Sequence, residues 1–183
     1  MTVLPNGRNS APSERAGAGK PPRYVGHTLQ MRTSPAWRGL PDNARRIVFE
    51  LEERHMKTGL TQNGALTCTY DEFVKAGIRR SSVRLAIEQA VALGFVEIVR
   101  RGYSARTDVR VPSVYRLTHV RSLGKDVKEP TDEWMAFKTD REVQGALRQV
   151  LAMLDEEREA RSARKRKRNL LKDRSSPGHE ATL

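Results

Sequence analysis

Gly77 separates two segments whose apolar residues recur at helical spacing, and no other feature restricts the fold as much. Before it, "TYDEFVKAGI" opens on Thr69 with Glu72 three residues later. That is the reciprocal pair in which a hydroxyl and a carboxylate satisfy backbone N–H groups at a helix start. Tyr70, Phe73 and Val74 are predicted to form the apolar face of this helix. After it comes "GIRRSSVRLAIEQAVALGF". At 100° per residue, Val83, Ala86, Ile87, Ala90, Val91 and Leu93 share one side. Glycine adopts the left-handed conformation that ends a helix without steric cost, so the chain reads as helix, glycine turn, helix.

Beyond Gly94 the apolar period changes from 3.6 to 2. "FVEIVR" and "SVYRLTH" read as two strands joined by the polar loop "RGYSARTDVRVP", a hairpin. Upstream, Ser34 and Pro35 start a short helix with Trp37 and Leu40 facing inward. "PDNARRIVFELEERHMKTG" follows as a long helix, with Asp42 as its cap, Gly59 as its stop, and Ala44, Ile47, Val48, Leu51 and His55 on one stripe. An Asn-Gly turn then leads into the short strand "ALTCT". Helix, strand, helix, helix, strand, loop, strand is the order of a winged helix-turn-helix. The expected fold is therefore α+β: a winged helix-turn-helix domain over residues 24–120, preceded by a disordered basic arm over 1–23. A linker over 121–138, a long helix with a basic run over 139–172 and a disordered tail over 173–183 complete the chain.

The net charge of +12 and a pI near 10.4 favour a polyanionic partner, nucleic acid before membrane surface. No run reaches about 18 apolar residues and the N-terminus has no apolar leader, so a cytoplasmic protein associated with the nucleoid, with no membrane partner, is expected. The single cysteine, Cys68, excludes an internal disulfide and reads as a buried, inert thiol. His27, His55, His119 and His179 are far apart and no zinc-ligand spacing exists, so no metal and no cofactor are predicted. Glu52 and His55 form a lone Glu-x-x-His. Phosphate-cradling glycine motifs are absent from the sequence, and no catalytic residue is assigned.

The second helix of the pair carries the candidate site. Opposite its apolar side lie Ser81, Ser82, Leu85, Glu88, Gln89 and Ala92, with Arg84 on the flank. Small hydroxyls, an amide and an apolar side chain suit base edges in the major groove of duplex DNA. Arg79 and Arg80 stand at the helix entrance, where a capping Ser or Asp is usual. Alone, cations there are slightly unfavourable, whereas a phosphate between them and the helix end relieves that cost. The cap is placed at Arg79 or, alternatively, at Ser81. In the loop between the strands, Arg101, Arg106 and Arg110 are candidate wing contacts to backbone or minor groove.

"SPAWRGL", "NARRIVFEL", "NGALTCTYDEFVKAGIRRSSVRLAIEQAVALGFVEI", "SVYRLTH" and "EPTDEW" together resemble the winged helix-turn-helix DNA-binding proteins of bacterial, chiefly alphaproteobacterial, plasmids and integrative elements. The resemblance runs from about Tyr24 to Trp134. It implies sequence-specific binding of double-stranded DNA in transcription regulation, or in replication or excision of a mobile element. A protein-interaction adaptor using the same domain and the C-terminal helix is the rival reading.

The C-terminal segment departs from that resemblance. Thr139 and Glu142 form a second capping box, and Val143, Leu147, Val150 and Leu154 follow at spacings of 4, 3 and 4. That seam suits docking on the domain or pairing with a second copy as a homodimer, and both stay open. Arg161, Arg164, Lys165, Arg166, Lys167 and Arg168 supply six basic residues in eight. From Arg161 onward there are eight basic and two acidic residues, a net of +6, whereas 121–160 carries a net of −3. So sharp a split points to a dedicated polyanion contact that is independent of sequence and sensitive to salt.

Overall fold

Two short helices come first in the computed structural model, which describes residues 23–104, 110–123 and 129–174. Thr28 caps α1 (Leu29–Thr33) and Ser34 caps α2 (Pro35–Arg38), each accepting a hydrogen bond from a first-turn backbone N–H. Trp37 turns into the core, as its spacing predicts. α3 (Asp42–Lys57) buries Ala44, Ile47, Val48, Leu51 and His55 along one stripe. Its N-cap is Pro41, without a side-chain bond, so Asp42 is not the cap. It lies inside the first turn, where a carboxylate favours the positive helix end, and it pairs with Arg45.

β1 (Leu66–Cys68) leads through the Thr69–Glu72 box into α4 (Tyr70–Lys75). A turn with Gly77 at φ +87° and a 3-10 turn (Arg80–Ser82) then reach α5 (Val83–Ala92). The strands β2 (Val96–Arg100), β3 (Tyr103–Ser104), β4 (Arg110–Val111) and β5 (Ser113–Leu117) follow. β5 lies between β1 and β2, antiparallel to both, and β3 pairs with β4 as a two-stranded extension. The molecule is α+β, with six α-helices and this three-stranded sheet among the described residues. Its core joins the α3 stripe to Val83, Ala86, Ile87, Ala90 and Leu93 of α5 and to Phe95, Tyr115 and Leu117 of the sheet region. α4 contributes only Phe73. Tyr70 and Val74, expected inside, are 39% and 38% exposed. A helix of 6 residues crosses the core once, and one large side chain fills the space it covers.

Asn63 does more than turn the chain. Its buried amide donates to the carbonyls of Leu117 and Val120 at 2.8 and 2.7 Å and accepts from the Leu117 N–H at 2.7 Å, fixing the loop before β1 to the end of β5. Arg23, expected in the disordered arm, donates to the carbonyls of Met56 and Lys57 at the C-terminal end of α3. Orphan carbonyls and the negative end of the helix dipole favour a cation there. Arg8, Arg15 and Lys20 of the arm lie outside the described residues, as does 175–183.

The segment after β5 hugs the domain. Thr131 and Asp132 donate to the Thr118 carbonyl, and a 3-10 helix (Glu133–Ala136) buries Trp134 against Gly94. α6 (Asp140–Arg174) then packs on α2 and α5. It begins near the C-terminal end of α5 and reaches the start of that helix at Glu157, which pairs with Arg84. α6 thus runs back along α5. Val143 and Val150 are buried, and Leu147 and Leu154 half-buried, within one chain. Of the two readings of the seam, the structure shows docking on the domain.

Candidate nucleic-acid interface

The entrance to α5 is built from the turn outward. The Arg46 guanidinium donates to the Gly77 carbonyl at 3.3 Å, and Ile78 is buried, so the chain after α4 is held from both sides. Arg79 is extended at φ −60° and ψ 131°, and its carbonyl accepts from the Ser82 N–H at 2.7 Å to close the 3-10 turn. Arg79 therefore caps that turn through its backbone. Neither of the predicted cap positions, Arg79 or Ser81, supplies a side-chain cap, and α5 starts at Val83.

Arg79 and Ser81 are exposed, and Ser82 is half-buried. Arg80 is exposed and paired with Asp71 across the turn. Arg84 is half-buried against α6 through Glu157. Leu85 and Gln89 are half-buried, so Leu85 is not the exposed apolar residue its helical position predicts. Glu88 departs furthest. It is 6% exposed and accepts two hydrogen bonds from Arg101, at 2.6 and 3.1 Å. A helical wheel sees one helix only, and here the foot of the hairpin closes over that arc. Glu88 is a positioning group for Arg101 rather than part of an outward face. The Arg101 side chain remains 64% exposed, and a guanidinium holds five donors, so it still presents N–H groups outward.

Arg110 lies in β4 opposite Ser104, and Arg106 falls outside the described residues. Arg100, which the strand pattern did not single out, is exposed beside Arg101. The pairing of β2 with β5 shifts between Ile98 and Arg100, and this irregularity turns consecutive side chains outward. On α6, residues 158–170 are exposed without exception. Arg161, Arg164, Lys165 and Arg168 follow one face at i, i+3, i+4 and i+7. Arg166 shares another face with Asp155 and Glu159, and Lys167 is exposed.

Arg84 of α5 and Arg161 of α6 share Glu157, Arg101 is held on α5 by Glu88, and the charges of all three act on Tyr70. Burial pushes its phenol up, and the charges of Arg84, Arg101 and Arg161 oppose that rise while Glu88 adds to it. α5, the foot of the hairpin and α6 thus share a surface of three arginines and two glutamates. Such a surface is suited to a polyanion running across it. The exposed Arg80–Asp71 pair holds Arg80 weakly, since such pairs contribute about 0–1 kcal/mol, and an arriving phosphate can exchange for the carboxylate.

A second cluster has no signature in the sequence. His27, from the segment before α1, and His119, from the turn after β5, each place Nε2 at 2.7 Å from the same oxygen of Glu52 on α3. Burial works to raise the Glu52 carboxyl, and the hydrogen bonds and charges of His119 and His27 outweigh it, leaving the carboxyl below its ordinary value. In the sequence these histidines stand too far apart to suggest a shared partner. The glutamate instead bridges them, whereas His55, its neighbour in the Glu-x-x-His, contacts the Arg121 carbonyl.

Searches against protein-family models, curated proteins and solved structures find no match to this chain.

Proposed function

We propose that the protein binds double-stranded DNA sequence-specifically as a winged helix-turn-helix, in transcription regulation or in the replication or excision of a mobile element. In this reading α4 and α5 are the helix pair, and α5 enters the major groove by its first turn. Arg79 and Arg80 meet phosphate there, while Ser81, Ser82, Leu85 and Gln89 face base edges. Arg101, held by Glu88, grips the backbone beside the groove with Arg100, and the β3–β4 extension is the wing. The end of α6 continues past the start of α5, and Arg161, Arg164, Lys165 and Arg168 follow the duplex backbone. The reading rests chiefly on Arg84, Arg101 and Arg161, linked through Glu157 and Glu88 across α5, α6 and the foot of the hairpin, and on the helix entrance that follows the Gly77 turn. No membrane partner is proposed: among the described residues no helix is long and apolar enough to cross a bilayer.

The adaptor reading needs an exposed Leu85 and a free apolar seam on α6. Leu85 is half-buried and Val143 and Val150 are buried, so the DNA reading is the better supported.

Duplex affinity measured by fluorescence anisotropy across a salt series tests it. Each lost phosphate contact reduces the slope of log K against log salt by about 1. Arg79→Ala with Arg80→Ala is expected to reduce specific binding at least about tenfold and lower the slope by about 2. Neutralising Arg164, Lys165 and Arg168 is expected to weaken all sequences alike. Affinity insensitive to salt, or unchanged in the Arg79/Arg80 double variant, would remove the basis for the assignment.

A further inference from the structure

His27, Glu52 and His119 come from three separate parts of the chain and present their donor atoms to one point. Both imidazole Nε2 atoms lie 2.7 Å from Oε1 of Glu52, and the donor atoms of the three residues all fall within 4.8 Å of one another. The side chains are 12%, 7% and 2% exposed for His27, Glu52 and His119. Aromatic rings wall the cluster. Trp37 and Phe49 lie 4.8 and 5.9 Å from the His27 ring, and Phe95 lies 6.4 Å from that of His119. Among the described residues no Lys or Arg pairs with Glu52.

We propose that this cluster is a binding site for one divalent transition-metal ion of the zinc class, held by the two imidazole nitrogens and the Glu52 carboxylate. A carboxylate withdrawn from water requires positive charge or several hydrogen bonds, and here only two neutralisable rings face it. Hydrogen bonds alone require both rings to direct an N–H at a single oxygen. A metal ion takes the same three atoms as lone-pair donors and supplies the missing charge. Two imidazoles with one carboxylate form a donor set that suits zinc and its neighbours, with water in the fourth position, and one that suits the oxygen-seeking magnesium and calcium poorly. The aromatic wall lowers the local dielectric and excludes competing water. The ion ties the segment before α1 to α3 and to the turn after β5, so its binding energy adds to the stability of the fold.

The untagged full chain, stripped of metal, is titrated with Zn2+ by calorimetry and with Co2+ by visible absorption. One ion per chain, with the intense d–d bands of a four-coordinate Co2+ site, is expected. His27→Ala, Glu52→Gln and His119→Ala are each expected to weaken Zn2+ binding by at least about 10–100-fold, the range that loss of even an outer partner of a metal ligand produces. Saturating Zn2+ is expected to raise the melting temperature of the unmodified chain and not that of the variants. His27 lies at the edge of the fold, so its variant decides the matter if the other two do not fold, and the Co2+ spectrum of the unmodified chain needs no variant. No uptake by the unmodified chain, or one equivalent bound with unchanged affinity in His27→Ala, overturns the proposal.

Discussion

Arg101 holds the Glu88 carboxylate with two nitrogens of its guanidinium, Nη1 on one oxygen at 2.6 Å and Nη2 on the other at 3.1 Å. The partners are unequally placed, with Glu88 buried at 6% exposure and Arg101 open to solvent over most of its side chain. Removing the exposed member strands a charge, whereas neutralising the buried one leaves an amide that can still bond. Arg101→Ala is therefore expected to destabilise the fold by about 1–3 kcal/mol, the cost of leaving a buried acceptor without its partner. Glu88→Gln should cost less. Urea denaturation of the two variants checks the order, and equal or inverted losses would contradict the positioning role given to Glu88.

Cys68 is buried at 2% exposure, and burial pushes its thiol up to about 12. The thiolate is the reactive species, so at pH 8 the native protein should not react with an aromatic disulfide reagent. One equivalent per chain should react once denaturant is added. Rapid reaction of the native form would place the thiol at the surface and disagree with the packing of β1.

Glu72 closes the box at the start of α4. Its carboxylate accepts from the Thr69 N–H at 2.7 Å and pairs with Arg54 at 2.8 Å, and its carboxyl is held down to about 2, first by the Thr69 backbone bond. The folded value lies below the ordinary 4.5, so the ionised group stabilises the native state. That contribution is complete above the unfolded value near 4.5 and disappears as pH falls towards 2. The side chain is 35% exposed, so screening limits the effect to about 1 kcal/mol, the usual worth of a cap. Glu72→Gln should lower stability at pH 7 by about that amount and flatten the acid limb of the stability curve. Denaturant melts between pH 2 and 7 measure both, and an acid limb identical to that of the unmodified chain would argue against it.

How much was legible follows from where each feature is encoded. The buried sides of α3 and α5 were readable because periodicity within one helix defines them, and Val83, Ala86, Ile87 and Ala90 are buried as that pattern requires. The boxes at Thr69 and Thr139 were readable for the same local reason. The outward arc of α5 was not. Glu88 meets Arg101 of the hairpin foot and Arg84 meets Glu157 of α6, and helical spacing holds no record of a neighbour arriving from 13 or 73 residues away. The docking of α6 lay at the limit. Val143 and Val150 announced an apolar seam, but their spacing does not say whether it meets its own chain, as Val143 does at Gly39, or a second copy. The bridging of His27 and His119 by Glu52 spans 25 and 67 residues and has no local signal.

Gly39 provides the last test, because it isolates the docking of α6. A Cβ built there would lie 2.6 Å from Cγ1 of Val143, closer than side chains tolerate. The backbone at φ −86° and ψ −2° accepts alanine, so conformational strain does not contribute. Gly39→Ala must therefore act by forcing α6 away from α2, and overpacking of this kind costs about 1–3 kcal/mol. Amide exchange should accelerate in the first turns of α6, which carry Val143. Val143→Ala removes the colliding methyl groups. The double variant should then be more stable than the sum of the two single losses allows, with a coupling above about 0.5 kcal/mol, the margin within which independent sites add. Strict additivity, with unchanged exchange in α6, would mean that the helix does not rest on Gly39 and that its seam is free for another partner.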